Sequence, residues 1–239
     1  MVVSLLRNLT FMVVLFTGPQ LAGAQTHGLI RLATQQLPPY QMVVNGQLQG
    51  VAIERVKCAL KATRRPFEIH MSDWTQAQLG TETAEYEGFF VGSANSTRAR
   101  YAIPSKPVIS EDLAWYMSRH ANINPNDPAD ALKARYSAKF ATSKWLNLKR
   151  RGFNVVKKPQ DAQSLLNMLL VGDIDVALEY ELIFEHFMEE RNIPLDRFTK
   201  IRNRRQDLSV HFSKKFLAAN PLFLEEFNAA LPVCIGESQ

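Results

Sequence analysis

SANSTRARYAIPSKP, residues 93 to 107, is the stretch on which the fold of this chain turns. Ser93, Ala94 and Asn95 are small or polar and end a strand. Arg98 follows, with a planar fork of donors that holds a carboxylate bidentately and stays charged at any working pH. Ser105-Lys106-Pro107 then turns the chain. Taken alone, an arginine in a loop is most often a surface charge, so the order of the surrounding segments decides what Arg98 does.

Upstream lie Leu37-Pro38-Pro39-Tyr40, then Gly50-Val51-Ala52-Ile53-Glu54, then Trp74. Downstream lie FATSKWL (Phe140 to Leu146), GDIDVAL (Gly172 to Leu178) and LSVHFSKK from Leu208. Period-two alternation over Leu29 to Ala33, Phe67 to Met71, Ile174 to Leu178 and Leu208 to Phe212 predicts strands. Helical spacing of Ile53, Val56 and Leu60, of Leu165, Met168 and Leu169, and of Phe223, Phe227 and Leu231 predicts helices between them. Gly172 closes one helix, and Asn220-Pro221 is expected to open the last. The alternation of strand and helix implies an α/β fold. The turn formers from Pro125 to Pro128 make a loop rather than an interdomain linker, and no repeat or low-complexity tract is present.

The N-terminus has the layout of a secretory signal peptide: Arg7, an apolar run from Leu9 to Phe16, Gly18-Pro19, and small residues at Ala22 and Ala24 that place a cut after Ala24. The apolar run is too short to span a bilayer, which takes about 20 residues. Residues 1–24 are therefore assigned to targeting, and the remainder to the periplasm. Removing them lowers the formal charge from +5 to +4. Basic clusters at Lys149 to Arg151 and at Arg202, Arg204 and Arg205 are interspersed with acids elsewhere, which argues for solvated faces and against nucleic-acid binding. An apolar content of 46% suffices for a core without staples. Two cysteines, Cys58 and Cys234, allow one bridge in an oxidising compartment.

Catalytic and metal signatures are missing from the sequence: there is no GxSxG, Gly-rich phosphate loop, HExxH or CxxC. His27, His70, His120, His186 and His211 have no ligand-like spacing, and no metal or other cofactor is expected.

Taken as an ordered series, Tyr40, Gly50, Glu54, Trp74, Ser93, Arg98, Ser105 and Pro107 resemble the N-terminal lobe of the family 3 extracellular solute-binding proteins, the periplasmic receptors of polar amino-acid ABC importers. FATSKWL, with Ala141 where the family usually has Gly, and GDIDVAL resemble segments of its second lobe, and LSVHFSKK resembles the return strand, so the likeness runs over about residues 28 to 231. It implies a two-lobed, type II periplasmic-binding-protein-like fold with two crossing hinge strands. Lobe 1 would comprise 28–109 and 207–239, and lobe 2 would comprise 110–206. The implied ligand set is Arg98, Ser93, Asn95, Tyr40 and Trp74 from one lobe, and Thr142, Ser143 and Tyr180 from the other. Arg98 would hold a carboxylate, the free N–H groups at the Thr142–Ser143 helix start would face the same anion, and Tyr40 and Trp74 would wall the cleft. Glu54 would serve a helix N-terminus electrostatically.

One departure bears on the ligand. Amino-acid receptors of this family usually carry an Asp five residues after the Asp of the second-lobe strand, where it pairs with the α-ammonium. Counted from Asp175, that position is Tyr180. Glu179 and Glu181 flank it, but adjacent side chains on a strand point to opposite faces. The resemblance also places the C-terminal helix back on the first lobe, where Cys234 would reach Cys58, which points off the core face of its helix. The implied function is a monomeric receptor for a small carboxylated solute, closing by hinge motion and docking on an inner-membrane ABC permease or, alternatively, a sensor protein. A dehydratase-like enzyme on the same fold is the other alternative, with Glu179 or Glu181 as its acid or base.

Overall fold

The computed structural model describes residues 28–119 and 121–236. The signal-peptide segment 1–24, His27 and His120 lie outside the described residues. The chain runs through β1 (Ile30–Thr34), the small ribbon of β2 (Met42–Val44) and β3 (Gln47–Gln49), α1 (Val51–Ala62), β4 (Phe67–Met71), α2 (Trp74–Glu82), β5 (Gly88–Gly92) and β6 (Ala102–Pro104). It continues with β7 (Ile109–Ser118), β8 (Tyr136–Ser137), α3 (Ser143–Arg150), α4 (Ala162–Leu170), β9 (Val176–Tyr180) and α5 (Glu181–Glu190). A long β10 (Phe198–Ser213) leads into α6 (Lys214–Ala219) and α7 (Phe223–Ile235).

The strands order as β4-β1-β5-β10-β7-β9-β8, with β6 also on β10. β1 lies parallel to β4 and β5, whereas β10 is antiparallel to β5, β6 and β7. β10 joins the two halves. Its first part pairs with β7 from Phe198↔Ser118 to Leu208↔Ile109, and its last residues pair with β5 and β6. The burial of β10 follows: its first ten residues mostly alternate or face solvent, and Leu208 to Ser213 are buried throughout, as expected where a strand passes from an exposed ribbon to a covered sheet.

The first half is built as its periodicity predicts. Ala52, Ile53, Val56, Ala59 and Leu60 form the buried face of α1, and Phe67–Met71 is the strand read from the sequence. Phe212 meets Phe223 and Phe227 at centroid distances of 5.0 and 5.1 Å, fixing α7 over the sheet. In the second half, Trp115 packs on Tyr136 and Phe153. Cys58 on α1 and Cys234 on α7 form a disulfide with Cα atoms 5.7 Å apart. None of the described helices is long and apolar enough to cross a membrane.

Gly50 is required by the turn before α1. It has φ +117°, and a Cβ there would sit 2.3 Å from the Tyr40 carbonyl oxygen, which accepts the Ala52 N–H at 2.9 Å. The Pro-Pro-Tyr turn is thereby seated on the helix start. Gly50→Ala is expected to cost about 2–3 kcal/mol from the disfavoured backbone region and the clash, read as a lower urea midpoint with unchanged slope. An unchanged midpoint would mean that the turn yields without cost.

Several element boundaries differ from the sequence expectation: β1 is shifted by one residue, and β10 begins at Phe198 rather than Leu208. The last helix starts at Phe223 rather than at Asn220-Pro221, because Asn220 ends α6 and its carbonyl accepts the Phe223 N–H at 3.1 Å. β9 starts at Val176, not Ile174. The left-handed turn at Gly172 (φ 76°) sends the Asp173 and Ile174 N–H groups back to the Met168 carbonyl before the ladder begins.

Candidate functional site

The end of β5 delivers Ser93 to the seam between the halves of the sheet, and the short turn after it folds Arg98 underneath. Asn95 Oδ1 accepts the Arg98 backbone N–H at 2.8 Å, which sets that turn. Arg98 is 2% exposed. Its Nε donates to Gln78 Oε1 of α2 at 3.0 Å, and one terminal nitrogen donates to the Ser93 carbonyl at 2.5 Å and to Ser143 Oγ at 3.1 Å. The guanidinium lies 5.0 Å from the Trp74 ring centre and 5.5 Å from that of Phe89. His211 stacks on Phe89 at 4.9 Å and is held neutral, with burial pulling its pKa to about 4. Burial also lowers Arg98 to about 10, so it remains a cation at neutral pH.

The second half closes on this group from α3. Thr142 caps the helix, accepting the Trp145 N–H at 3.4 Å and donating to the Lys139 carbonyl at 2.6 Å. Ser143 bridges the seam by accepting from both Arg98 and Asn95 Nδ2, the latter at 2.6 Å. Ala141 has φ 57°, a left-handed conformation that costs a non-glycine residue about 1–2 kcal/mol. Its carbonyl accepts the Trp74 indole N–H at 3.2 Å, another bond from one half to the other.

Six of the eight sequence-predicted ligand residues line one cavity of about 30 Å³: Ser93, Arg98, Trp74, Thr142, Ser143 and Tyr180. That volume holds about one or two waters. Asn95 and Ser143 line an adjoining recess of about 80 Å³. Tyr40 is placed differently from the expectation of a cleft wall: it is 1% exposed, its hydroxyl donates to Glu111 of β7, and it is not among the cavity-lining residues. The physical reason is the bond from Ala52 to the Tyr40 carbonyl, which ties its turn to α1.

Sequence reasoning missed Lys139 and Lys144, which line the same cavity. Lys139 is 5% exposed and donates to the neutral Gln35 side chain, and burial pulls its pKa to about 8. Lys144 ion-pairs with Glu179 and lies 4.1 Å from the centre of the Tyr180 ring. Burial holds its ammonium below the ordinary lysine range, with the Glu179 carboxylate opposing. Glu179 is fully buried and also accepts the Tyr180 N–H at 2.9 Å. Glu181 instead pairs with Lys200 on the surface. The two lysines bracket the Ala-Thr-Ser turn at the start of α3, and that bracketing is the sequence signal that could have found them. Among the described residues no cluster of His, Cys, Asp and Glu could hold a metal ion.

A sheet whose two halves share the paired strands β7 and β10, with a polar cleft between them, defines a two-lobed, periplasmic-binding-protein-like α/β fold. The solved structures similar to it have this architecture. One is a histidine kinase sensor domain with similarity to periplasmic binding proteins (TM-score 0.75, 16% identity, covering 87% of this chain and 90% of that one). Another is an ancestral arginine-binding protein bound to arginine (TM-score 0.72, 16% identity, 87% and 92% covered). A third is the arginine-, lysine-, histidine-binding protein ArtJ from Geobacillus stearothermophilus (TM-score 0.71, 14% identity, 87% and 90% covered). At these identities the likeness is one of fold. Neither a protein-family model nor a curated protein sequence matches the chain.

Proposed function

We propose that this chain is a periplasmic solute-binding receptor that closes its two lobes, 28–109 with 207–239 and 110–206, over a small carboxylated solute and presents the closed form to an inner-membrane partner. The observation that carries this is Arg98: a buried guanidinium at the seam, oriented by Gln78 and Ser93 of one half and already bonded to Ser143 of the other. A carboxylate entering there replaces the Ser143 contact with a bidentate one. Contacts from both halves to one anion favour the closed population, as in hinge-closing receptors. The partner is either an ABC permease or a sensor protein; similar folds serve as amino-acid binding proteins and as a kinase sensor domain.

The test is thermal shift with panels of carboxylates and amino acids, alongside mass spectrometry of any solute retained through a mild native purification. A cognate solute at 100 times its Kd adds about 2.7 kcal/mol, or roughly 5–10 °C for a chain of this size. Arg98→Ala is expected to abolish the shift. Binding undiminished by that change would remove Arg98 from the site, and silence across broad panels would overturn the receptor reading.

A further inference from the structure

The charges around the cavity are unbalanced. Arg98, Lys139 and Lys144 line it, and among the described residues no carboxylate does. Glu179 supplies one negative charge to Lys144, but Arg98 and Lys139 have only neutral hydrogen-bond partners: Gln78, Ser93, Ser143 and Gln35. A desolvated cation without a carboxylate partner is unfavourable, and an anion bound to both would relieve that. The site therefore has room, electrostatically, for two negative charges.

It has no place for a positive one. An ammonium needs a carboxylate or a set of carbonyls facing it, and among the described residues no carboxylate lines the cavity. The space over the Tyr180 ring is already occupied by the Lys144 ammonium, 4.1 Å from the ring centre. A zwitterion's amine would enter beside the Lys144 ammonium, an unfavourable juxtaposition of like charges. The cavity, about 30 Å³ with the halves in contact, must widen to admit any solute, and its apolar walls Trp74, Leu37 and Leu208 suit the short carbon chain between two charged ends.

We propose that the cleft selects a short dicarboxylate lacking an amine, one carboxylate on Arg98 and the other on Lys139. This rests on the receptor function proposed above and specifies its ligand class. Because Arg98 comes from the first half and Lys139 from the second, the dianion is itself the tie that holds the halves closed. Lys144, held in place by Glu179, occupies the space over the Tyr180 ring that an amine would need.

Succinate and aspartate share a carbon skeleton and differ by the ammonium, so titration calorimetry of the unmodified protein with each, at fixed ionic strength and neutral pH, isolates the point. Malonate, acetate, sulfate and arginine complete the set. Succinate or malonate is expected to bind at least 100-fold more tightly than aspartate, acetate or arginine. Lys139→Gln, which keeps a polar partner for Gln35, is expected to weaken the dicarboxylate at least tenfold while leaving acetate within a factor of about three. Aspartate or arginine binding as tightly as succinate would overturn the dicarboxylate assignment and leave the receptor standing. So would sulfate matching succinate, since that marks a general oxyanion site. If no small solute binds in this set or in the broad panels, both fall. The succinate and aspartate comparison needs no variant, so misfolding of Lys139→Gln cannot shield the proposal.

Discussion

Removing either partner of the Lys144–Glu179 pair alone will destabilise the protein by roughly 3–5 kcal/mol, because the surviving charge is left buried and uncompensated. Both side chains are almost inaccessible, at 5% and 0% of their ordinary exposure. Glu179 Oε2 has no hydrogen-bond partner among the described residues, so Glu179 has no second cation to fall back on. Replacing both by residues of similar volume, Lys144→Met with Glu179→Met, removes both desolvation penalties, and its cost is expected to stay within about 1–2 kcal/mol of the parent, part of it from the Tyr180 N–H losing its acceptor. A double-mutant cycle in urea reads the difference as a coupling energy. Single variants each costing less than about 1 kcal/mol would mean that water reaches the pair and solvates the surviving charge.

The Cys58–Cys234 bond is the second large contribution. It spans a sequence separation of 176 residues, so in the unfolded chain it closes nearly the whole of the described protein into a loop. Loop-closure entropy for that length sets a ceiling of about 5 kcal/mol, and native disulfides typically return 2–5. Cys58→Ser with Cys234→Ser is expected to cost about 3–5 kcal/mol, and reduction of the parent should lower the urea midpoint by the same amount. α7 keeps its own apolar face, Phe223, Phe227 and Leu231, so the fold survives with its last helix less firmly held. A midpoint indifferent to reductant would show that the bridge adds nothing to what α1 and α7 already gain by packing.

The legible part of the fold is the part whose signal is local. The five buried residues of α1 follow from 100° per residue applied to a 12-residue helix, and Phe67–Met71 alternates and is a strand. β10 shows where such reasoning stops. Leu208 to Phe212 reads as a strand, but Arg202, Arg204 and Arg205 read as a solvated face, and only pairing with β7 makes them part of a 16-residue strand. There Asp112 of β7 receives Arg202 and Arg205, an arrangement with no mark in the order of the residues.

The site divides the same way. By itself the sequence determined that Arg98 follows a strand end at Ser93, that Tyr180 stands between Glu179 and Glu181, and that two cysteines are present to pair. These are matters of residue identity and near spacing, set by covalent order. Only the tertiary structure decided that Lys139 and Lys144 turn inward beside Arg98, that Glu179 spends its charge on Lys144, and that Tyr40 faces Glu111 rather than the cavity. Whether a charge is buried, and what neutralises it, depends on groups brought from the other half of a sheet that crosses over at β7 and β10. Desolvation and Coulomb energy are properties of that three-dimensional neighbourhood and leave no trace in a linear pattern.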